Sequence, residues 1–303
     1  MNINAEIEKL DWTREPKGLY EPIGYTLAAG GKRIRPRLAL LGALAVGGKE
    51  QDVLPAALAL EVFHNFTLLH DDVMDKAQVR RGRPTVHIKW NENTAILSGD
   101  QMMIEAYKLL SGVQADKLPK VLCLFNKMAT EICEGQQYDV DFEQRNDVTL
   151  AEYMEMIRLK TSVLLATALQ IGAYIGGGSE QQQHALYDYG INIGLAFQIQ
   201  DDLLDCFGDP QTFGKAIGGD IREGKKTFMW LTARNIAGDT WTTDNKDVPT
   251  VLQEYEHLGV RKAAEEQIAA LTQKALHSLE LLHANQYTQE LQSLAHQLSA
   301  RTK

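Results

Sequence analysis

The sequence lacks the features that mark secreted, membrane-spanning or nucleic-acid-binding proteins. It has no run of about 18 uncharged apolar residues, so we expect no membrane span. The N-terminus has no basic region followed by an apolar core, so we expect no signal peptide. The net charge of −9 argues against a general nucleic-acid binder. With 44% hydrophobic and 23% charged residues, the composition is ordinary for a soluble globular protein, and we expect a cytoplasmic location.

Cysteines and strand patterns are scarce as well. Cys123, Cys133 and Cys206 show no zinc or disulfide spacing and are predicted to be buried small hydrophobes in a reducing compartment. We find no convincing series of alternating strands with hairpin turns, whereas segments rich in Ala, Leu, Gln and Glu follow a helical period. A chain of 303 residues is long enough for one large domain, and we expect a single helical domain over residues 1–303.

An acidic motif, Leu68–Asp75, ends a long apolar run. Asp71 and Asp75 are four residues apart and point the same way on a helix, with Asp72 beside them. Like charges at this spacing are destabilising unless they are neutralised, and oxygen-only ligands suit Mg²⁺ or Mn²⁺. Taken alone, the motif would more often be a solvated acidic helix end.

The same spacing occurs again about 130 residues later, in Asp201, Asp202 and Asp205. This second motif also follows an apolar segment, Ile191–Ile199. Facing each other, the two motifs would form an acidic mouth for several metal ions above an apolar shaft. That arrangement suits a substrate with a diphosphate head and a hydrocarbon tail.

Two basic segments lie on either side of the first acidic motif. Residues 30–37 read GGKRIRPR, and residues 79–85 contain three further arginines. Glycines allow close approach of the backbone to an anion, and arginine forks match phosphate oxygens. The alternatives are a basic helix junction for the first segment and charge compensation for the second. A dense cation cluster in an acidic protein favours phosphate binding.

Other segments leave alternatives open. Lys160 has apolar neighbours, so it either needs an anionic partner such as a diphosphate or extends its charge to solvent. His64 is either a ligand or a core histidine. The glycine- and lysine-rich residues 207–226 form either a mobile loop or a phosphate lid. Pro55 is predicted to open the helix of the first acidic motif, and residues 237–249 to be variable or disordered.

Together these segments resemble the trans-isoprenyl diphosphate synthases, also called the polyprenyl synthetase family. The matching pieces, in the family's order, are GGKRIRP (30–36), HNFTLLHDDVMDKAQVRRGRPTVH (64–87), KTS (160–162), FQIQDDLLD (197–205) and GKAIGGDIREGKK (214–226). The resemblance implies an all-α fold of the isoprenoid synthase type, a large single-domain helical bundle around a deep central cavity, usually a homodimer. It also implies Mg²⁺-dependent condensation of isopentenyl diphosphate with an allylic diphosphate.

The resemblance also implies roles for individual residues. The metal ligands are expected to be Asp71, Asp75 and Asp201. They are expected to hold several Mg²⁺ ions per site, and Mn²⁺ is expected to substitute for Mg²⁺. The supporting catalytic carboxylates are expected to be Asp72, Asp202 and Asp205. The isopentenyl diphosphate site is expected to comprise Lys32, Arg35, His64 and Arg81. The allylic diphosphate site is expected to comprise Arg80, Lys160 (also catalytic), Thr161, Gln198, Lys215 and Lys225. Gln136 and Asp139 match a pair that supports the site.

In this family, bulk just before the first acidic motif is linked to product length. Phe66 is large, Thr67 is small and the motif has no two-residue insertion, a combination that resembles synthases of twenty-carbon geranylgeranyl diphosphate. Fifteen-carbon farnesyl diphosphate is the second candidate. Phe66 is rotated by about 140° from Asp71 on a helix, at about 100° per residue, so Phe63 is an alternative floor of the cavity.

Three other functions compete with this interpretation. A class I terpene cyclase would ionise the same substrates, but its second motif is usually not DDLLD and the GGKRIRP cluster would lack a purpose. A non-catalytic regulatory subunit of a heterodimeric synthase would be expected to carry degenerate motifs, and both motifs here are intact. A helical scaffold that merely binds cations would turn over no allylic substrate.

Overall fold

Helices make up nearly all the regular structure in the computed structural model, which describes residues 1–208 and 217–299. The first part of the chain forms α1 (Ile3–Glu8), α2 (Lys17–Leu27), α3 (Ile34–Ala45), α4 (Glu50–Met74), β1 (Val79–Arg80), β2 (Arg83–Pro84), α5 (Val86–Lys89) and α6 (Glu92–Leu110). The rest forms α7 (Leu118–Gln144), α8 (Leu150–Ile157), a π-helix (Arg158–Ser162), α9 (Val163–Ile175), α10 (Glu180–Phe207), α11 (Gly219–Glu223), α12 (Phe228–Ala237), α13 (Val248–His257), α14 (Val260–Ser278), a 3₁₀ turn (Leu279–Leu281) and α15 (Gln286–Ser299). The predicted all-α fold is confirmed.

The chain divides into two compact units. The first comprises residues 1–124 and 168–183, and the second comprises residues 125–167 and the chain from residue 184 onward. Large apolar side chains are fully buried in each, among them Phe63 in the first unit and Phe125 in the second. The expectation of a single domain remains a prediction.

Helix α4 carries the first acidic motif, and its boundaries differ from the prediction. It begins at Glu50, so Pro55 lies inside the helix and does not open it. The earlier start places Glu50 and Asp52 in the first turn, where the helix dipole favours negative charge. The helix ends at Met74 with Asp75 as its C-cap, so all three carboxylates of the motif lie at its C-terminal end.

Helix α4 is also long and apolar enough to resemble a membrane span by length and composition. In the described chain, 67% of its most apolar window is buried inside the protein. Because core helices of globular proteins show the same character, a single such helix is weak evidence for a membrane.

A small hairpin follows α4 and contains the only two strands in the described residues. Strands β1 and β2 pair antiparallel, with Arg80 opposite Arg83. The two turn residues have positive φ, 52° at Arg81 and 73° at Gly82, as in the tight turns that suit twisted strands. Tyr25 of α2 fastens the hairpin, because its hydroxyl donates to the Pro84 carbonyl at 2.9 Å and its ring lies 3.9 Å from the Arg83 guanidinium carbon.

Two further predictions differ from the structure. Cys206 is buried as expected, but Cys123 and Cys133 are exposed because they lie on the solvent side of α7. In the segment predicted to be disordered, Trp241 packs on Tyr255 with ring centroids 5.8 Å apart, and its indole N–H donates to Glu254 at 2.8 Å. Lys246 pairs with the same Glu254 carboxylate at 2.7 Å, so an aromatic contact and an ion pair both join this polar segment to α13.

Candidate active site

The first basic segment begins a helix and does not end one. Gly30 and Gly31 have φ of 74° and 135°, and Arg33 has φ of 48° as the N-cap of α3. A Cβ on Gly31 would lie 3.0 Å from the Arg81 guanidinium, so the absence of a side chain there allows the two basic segments to meet. Cations at a helix N-terminus are not explained by the helix dipole, whereas an anion bound there would be stabilised by it.

Arg33 is neutralised within the protein. Its guanidinium forms an ion pair with Glu61 of α4 at 2.5 Å and donates to the Leu27 carbonyl at 2.6 Å. Both side chains of the pair are less than a tenth exposed. Asn65 donates to the same Glu61 carboxylate at 3.0 Å. Arg33 and Glu61 therefore hold the turn before α3 against α4.

Three members of the predicted isopentenyl diphosphate site, Arg35, His64 and Arg81, interact with one another. Burial lowers the pKa of Arg35 to about 10, and burial together with the surrounding arginines lowers the pKa of His64 well below its usual value. Burial also lowers the pKa of Arg81, with Arg33 as the next cause. Arg35 Nε is buried without a hydrogen-bond partner among the described residues. The cluster holds excess positive charge and an unused donor, which are properties of an anion site.

Lys32 and Arg81 are the exposed members of the predicted site. Arg81 donates from its guanidinium to the Gly30 carbonyl, so the hairpin turn reaches the glycine turn directly. Beside this contact lies a cavity of about 30 Å³, enough for one or two water molecules. Asn65 and Arg80 are among the side chains that line it.

Within the first acidic motif, the three carboxylates have different environments. Asp72 is buried and pairs with Arg80 Nε at 2.7 Å, and burial raises its pKa despite this arginine. Asp71 is half-buried and Asp75 is exposed. Arg80, predicted to bind allylic diphosphate, is thus engaged by the motif itself, which makes charge compensation part of its role.

The second acidic motif also buries its middle carboxylate, but here the last one, Asp205, is buried as well. Asp202 is buried, and burial raises the pKa of this carboxyl to about 8. It accepts hydrogen bonds from the Tyr153 hydroxyl, from the Phe228 backbone at 3.1 Å and from Gln198 at 3.3 Å. Asp201 is half-buried near the C-terminal end of α10.

Asp205, the last carboxylate of that motif, anchors the chain that follows. Its side chain accepts from the backbone of Gly219 at 3.2 Å and of Asp220 at 3.0 Å. Lys226 then donates to the Phe142 carbonyl at the end of α7 at 2.9 Å. Sequence reasoning did not single out Lys226, because a side chain that binds carbonyls looks like any other lysine of the segment.

Two of the three lysines of the predicted allylic site form ion pairs within the protein. Lys160 forms an ion pair with Asp139 at 2.5 Å, so its partner in the folded chain is a carboxylate. Lys225 pairs with the exposed Glu223 at 2.8 Å. Lys215 lies outside the described residues. A diphosphate at Lys160 would therefore share this cation with Asp139.

Lys160 and Thr161 lie in the π-helix Arg158–Ser162. Such single-turn widenings of a helix are frequent at functional sites. A Cβ on Gly135 of α7 would overlap the backbone of Lys160 and lie 2.8 Å from Leu159, so this glycine lets α7 touch the π-helix. Thr161 Oγ1 donates to Gln198 Oε1 at 3.3 Å. A helical period in the sequence does not reveal such an irregularity.

The residues fit a divalent cation in donor type. In the described chain no three His, Cys, Asp or Glu side chains form a ready metal-ligand group. Mg²⁺ does not require one, since it is usually held by one or two carboxylates together with substrate phosphates and water. Asp71, Asp75 and Asp201 lie at the C-terminal ends of α4 and α10, where the negative end of the helix dipole adds to the attraction for cations.

The two predicted floor residues lie together on α4. Phe63 is 1% exposed, and Phe66 is half-buried. Their ring centroids are 5.3 Å apart, and Phe66 meets the His70 ring edge-on at 4.8 Å. His70 in turn lies where a Cβ on Gly99 would be, so this glycine explains the close contact of α4 with α6.

Glu61 and Tyr153 are the functional candidates that sequence reasoning missed. Glu61 stands inside an apolar run, Ala56–Phe63, and a charged residue there is a signal for a buried ion pair. Tyr153 gives no such signal, because a tyrosine on the apolar face of a helix usually belongs to the core.

Comparison with known proteins identifies the family of this chain. The family "Polyprenyl synthetase" matches residues 16–247. A geranylgeranyl diphosphate synthase of Methanosarcina mazei is 46% identical over 234 residues, which are 77% of this chain and 72% of that protein. A solved geranylgeranyl pyrophosphate synthase superposes with a TM-score of 0.92 at 46% identity, over 99% of this chain and 97% of that one.

A second solved structure is a polyprenyl synthase from Caulobacter crescentus complexed with calcium and isoprenyl diphosphate. It superposes with a TM-score of 0.88 at 30% identity, over 99% of this chain and 95% of that one. The family match covers well over half of the chain, and these proteins resemble it over most of their length. The chain therefore belongs to the polyprenyl synthetase family, and it is a prenyltransferase that forms short-chain prenyl diphosphates.

Proposed function

We propose that this enzyme condenses isopentenyl diphosphate with allylic diphosphates and releases twenty-carbon geranylgeranyl diphosphate. The observation that carries the proposal is the cluster of Arg35, His64 and Arg81. The positive charge of its arginines exceeds the negative charge of the neighbouring carboxylates. A diphosphate supplies the missing negative charge. The names of the relative from Methanosarcina mazei and of the first solved structure indicate the twenty-carbon product.

In this proposal the cluster binds isopentenyl diphosphate. Arg35 offers its unused Nε–H and Arg81 its exposed guanidinium, while neutral His64 donates one N–H without adding charge. Lys32 covers the solvent side. The substrate is thereby fixed so that its double bond attacks the allylic carbon.

The allylic diphosphate is held by Lys160 and Arg80, and its carbon lies beside Thr161 and Gln198. Asp71, Asp75 and Asp201 would hold Mg²⁺, which when bound would supply Lewis-acid stabilisation of the departing diphosphate. The oxygens of Thr161 and Gln198 orient their negative ends toward the carbon that becomes cationic, and apolar walls exclude water. Asp72, Asp202 and Asp205 support these residues from buried positions.

Product length is proposed to depend on Phe63 and Phe66. Replacing either ring by a methyl group removes a wall of the chain-binding space, so we expect Phe63→Ala or Phe66→Ala to yield longer products. Ala43→Gly serves as a comparison. It removes a buried methyl group from another helix, α3, and should leave product length unaltered. The same product spectrum in both phenylalanine variants would contradict this role.

Product analysis tests the proposed function. Purified protein is given Mg²⁺, labelled isopentenyl diphosphate and, separately, the five-, ten- and fifteen-carbon allylic diphosphates. We expect a twenty-carbon end product from each. A fifteen-carbon stop, or products beyond twenty-five carbons, would contradict the assigned length, and no condensation by folded protein would support a regulatory subunit.

We also propose that the protein is a homodimer that joins through α6. This helix exposes an apolar stripe, with Ile96 at 44%, Met103 at 36%, Ile104 at 52% and Tyr107 at 39% exposure. Several large exposed apolar side chains on one helix point to an interaction surface, although the exposed Asp100 lies among them. Light scattering should give twice the chain mass of 33.8 kDa, and Ile104→Arg should lower it to that of one chain. A monomeric wild-type protein would contradict the proposal.

A further inference from the structure

A chain of hydrogen bonds links a buried tyrosine of α8 to two residues assigned to the allylic diphosphate. Tyr153 is 3% exposed, and its hydroxyl donates to Asp202 Oδ2. The backbone N–H of Phe228 donates to the same oxygen at 3.1 Å. Gln198 Nε2 donates to the other oxygen, Oδ1, at 3.3 Å, and Gln198 Oε1 accepts from Thr161 at 3.3 Å.

This chain fixes which end of the Gln198 amide faces Thr161. Asp202 Oδ1 accepts from the amide nitrogen, so the amide oxygen is left to accept from Thr161. Asp202 can orient the amide only while its own plane is held. Tyr153 and Phe228 hold it through Oδ2 and leave Oδ1 to Gln198.

We propose that Tyr153 is a positioning residue of the prenyl transfer site: it holds Asp202 so that the Gln198 amide oxygen, and not its N–H, faces the allylic carbon. An oxygen dipole stabilises the positive charge that develops when diphosphate leaves, whereas an amide N–H destabilises it. Tyr153 therefore acts on the rate of the chemical step and not on the binding of isopentenyl diphosphate. This inference rests on the proposed function of Thr161 and Gln198.

The test compares Tyr153→Phe with Tyr189→Phe. Tyr189 belongs to the same unit, is fully buried and donates its hydroxyl to the Leu291 carbonyl at 2.7 Å. Each variant loses one buried hydroxyl, so urea unfolding should show similar losses of stability. The single-turnover rate with saturating ten-carbon allylic diphosphate should fall about tenfold in Tyr153→Phe, which corresponds to an increase of about 1.4 kcal/mol in the activation free energy. We expect no change of rate in Tyr189→Phe and no change of KM for isopentenyl diphosphate in either variant.

A double-mutant cycle identifies the route of the effect. If Tyr153 acts through Gln198, adding Tyr153→Phe to Gln198→Ala should reduce the rate by less than about twofold further. A full additional tenfold loss in that background would overturn the inference, as would equal rates for Tyr153→Phe and Tyr189→Phe. Absence of condensation by the wild-type enzyme would instead refute the proposed function.

Hydrogen exchange in the wild-type protein tests the inference even if Tyr153→Phe fails to fold. In ¹⁵N-labelled protein, the side-chain amide protons of Gln198, assigned by their loss in Gln198→Ala, should exchange slowly with solvent. Rapid exchange, at the rate of an exposed glutamine, would show that the amide is not held and would overturn the inference.

Discussion

Replacing Glu61 by glutamine should destabilise the protein and at the same time strengthen its affinity for diphosphate. The Glu61 carboxylate is 2.5 Å from Arg33, and its charge also acts on Arg35 and Arg81. Breaking a buried ion pair by removing one charge costs about 3–5 kcal/mol. Glutamine keeps an oxygen that can accept from Arg33 and Asn65, so we expect a loss of about 3 kcal/mol.

The same substitution leaves more positive charge in the cluster. Inorganic diphosphate should then bind Glu61→Gln more tightly than wild type, and a tenfold lower Kd gives about 1.4 kcal/mol of additional stabilisation. Urea unfolding with and without saturating diphosphate measures both effects.

Glu105→Gln is a matched comparison for this experiment. Glu105 is also a buried carboxylate of the first unit, paired with Arg14 and Lys108, each at 3.0 Å. The Glu105→Gln variant should be less stable than wild type, but diphosphate should stabilise it only as much as it stabilises wild type. Equal diphosphate responses of the two variants, or a Glu61→Gln protein as stable as wild type, would refute this account of the cation cluster.

The remaining predictions concern His64 and Gly135. Because the folded protein lowers the pKa of His64, below pH about 6.5 the unfolded chain binds a proton that the folded chain does not, so His64 contributes a loss of stability of up to about 1.4 kcal/mol for each unit by which the pH falls. Asp202, with its pKa raised to about 8, contributes a slope of the opposite sign, so the prediction concerns the difference in slope between wild type and the His64 variant. His64→Asn should remove the contribution of His64 in urea titrations between pH 6.5 and 5, and an unchanged slope would contradict it. Gly135→Ala should push α7 from the π-helix of Lys160 and reduce the condensation rate at least about tenfold. Gly18→Ala, where nothing lies within 4 Å, is the control, and equal rates in the two variants would contradict this role of Gly135.

The sequence was sufficient for the features that depend on helical spacing. Asp71 and Asp75 lie four residues apart, and the regular period of α4 brings both to the helix end whatever the rest of the chain does. The all-α fold follows in the same way from composition and period. The resemblance to the family rested on these local segments, and the family match confirms it.

Features that depend on distant partners were beyond sequence reasoning. Arg33 and Arg35 look alike in the sequence, but the left-handed backbone at Arg33 turns it to Glu61, 28 residues away, and leaves Arg35 with an unused donor. The π-helix lies against Gly135 of another helix, at a place where a Cβ would not fit. Charge compensation was one of two interpretations of residues 79–85, and only the fold shows that the hairpin brings Arg80 to Asp72, at 2.7 Å.

The most direct test of the account is the kinetic effect of Arg35→Met, measured with each substrate varied in turn. Methionine keeps much of the volume of the arginine stem but removes the buried donor and its charge. We predict that KM for isopentenyl diphosphate rises at least about tenfold, the value of one charge-assisted hydrogen bond, while KM for the allylic diphosphate is unchanged. Arg37→Met, an exposed position in the same basic segment, should leave both values near wild type. An equal rise for both substrates, or no rise for isopentenyl diphosphate, would contradict the assignment of this cluster.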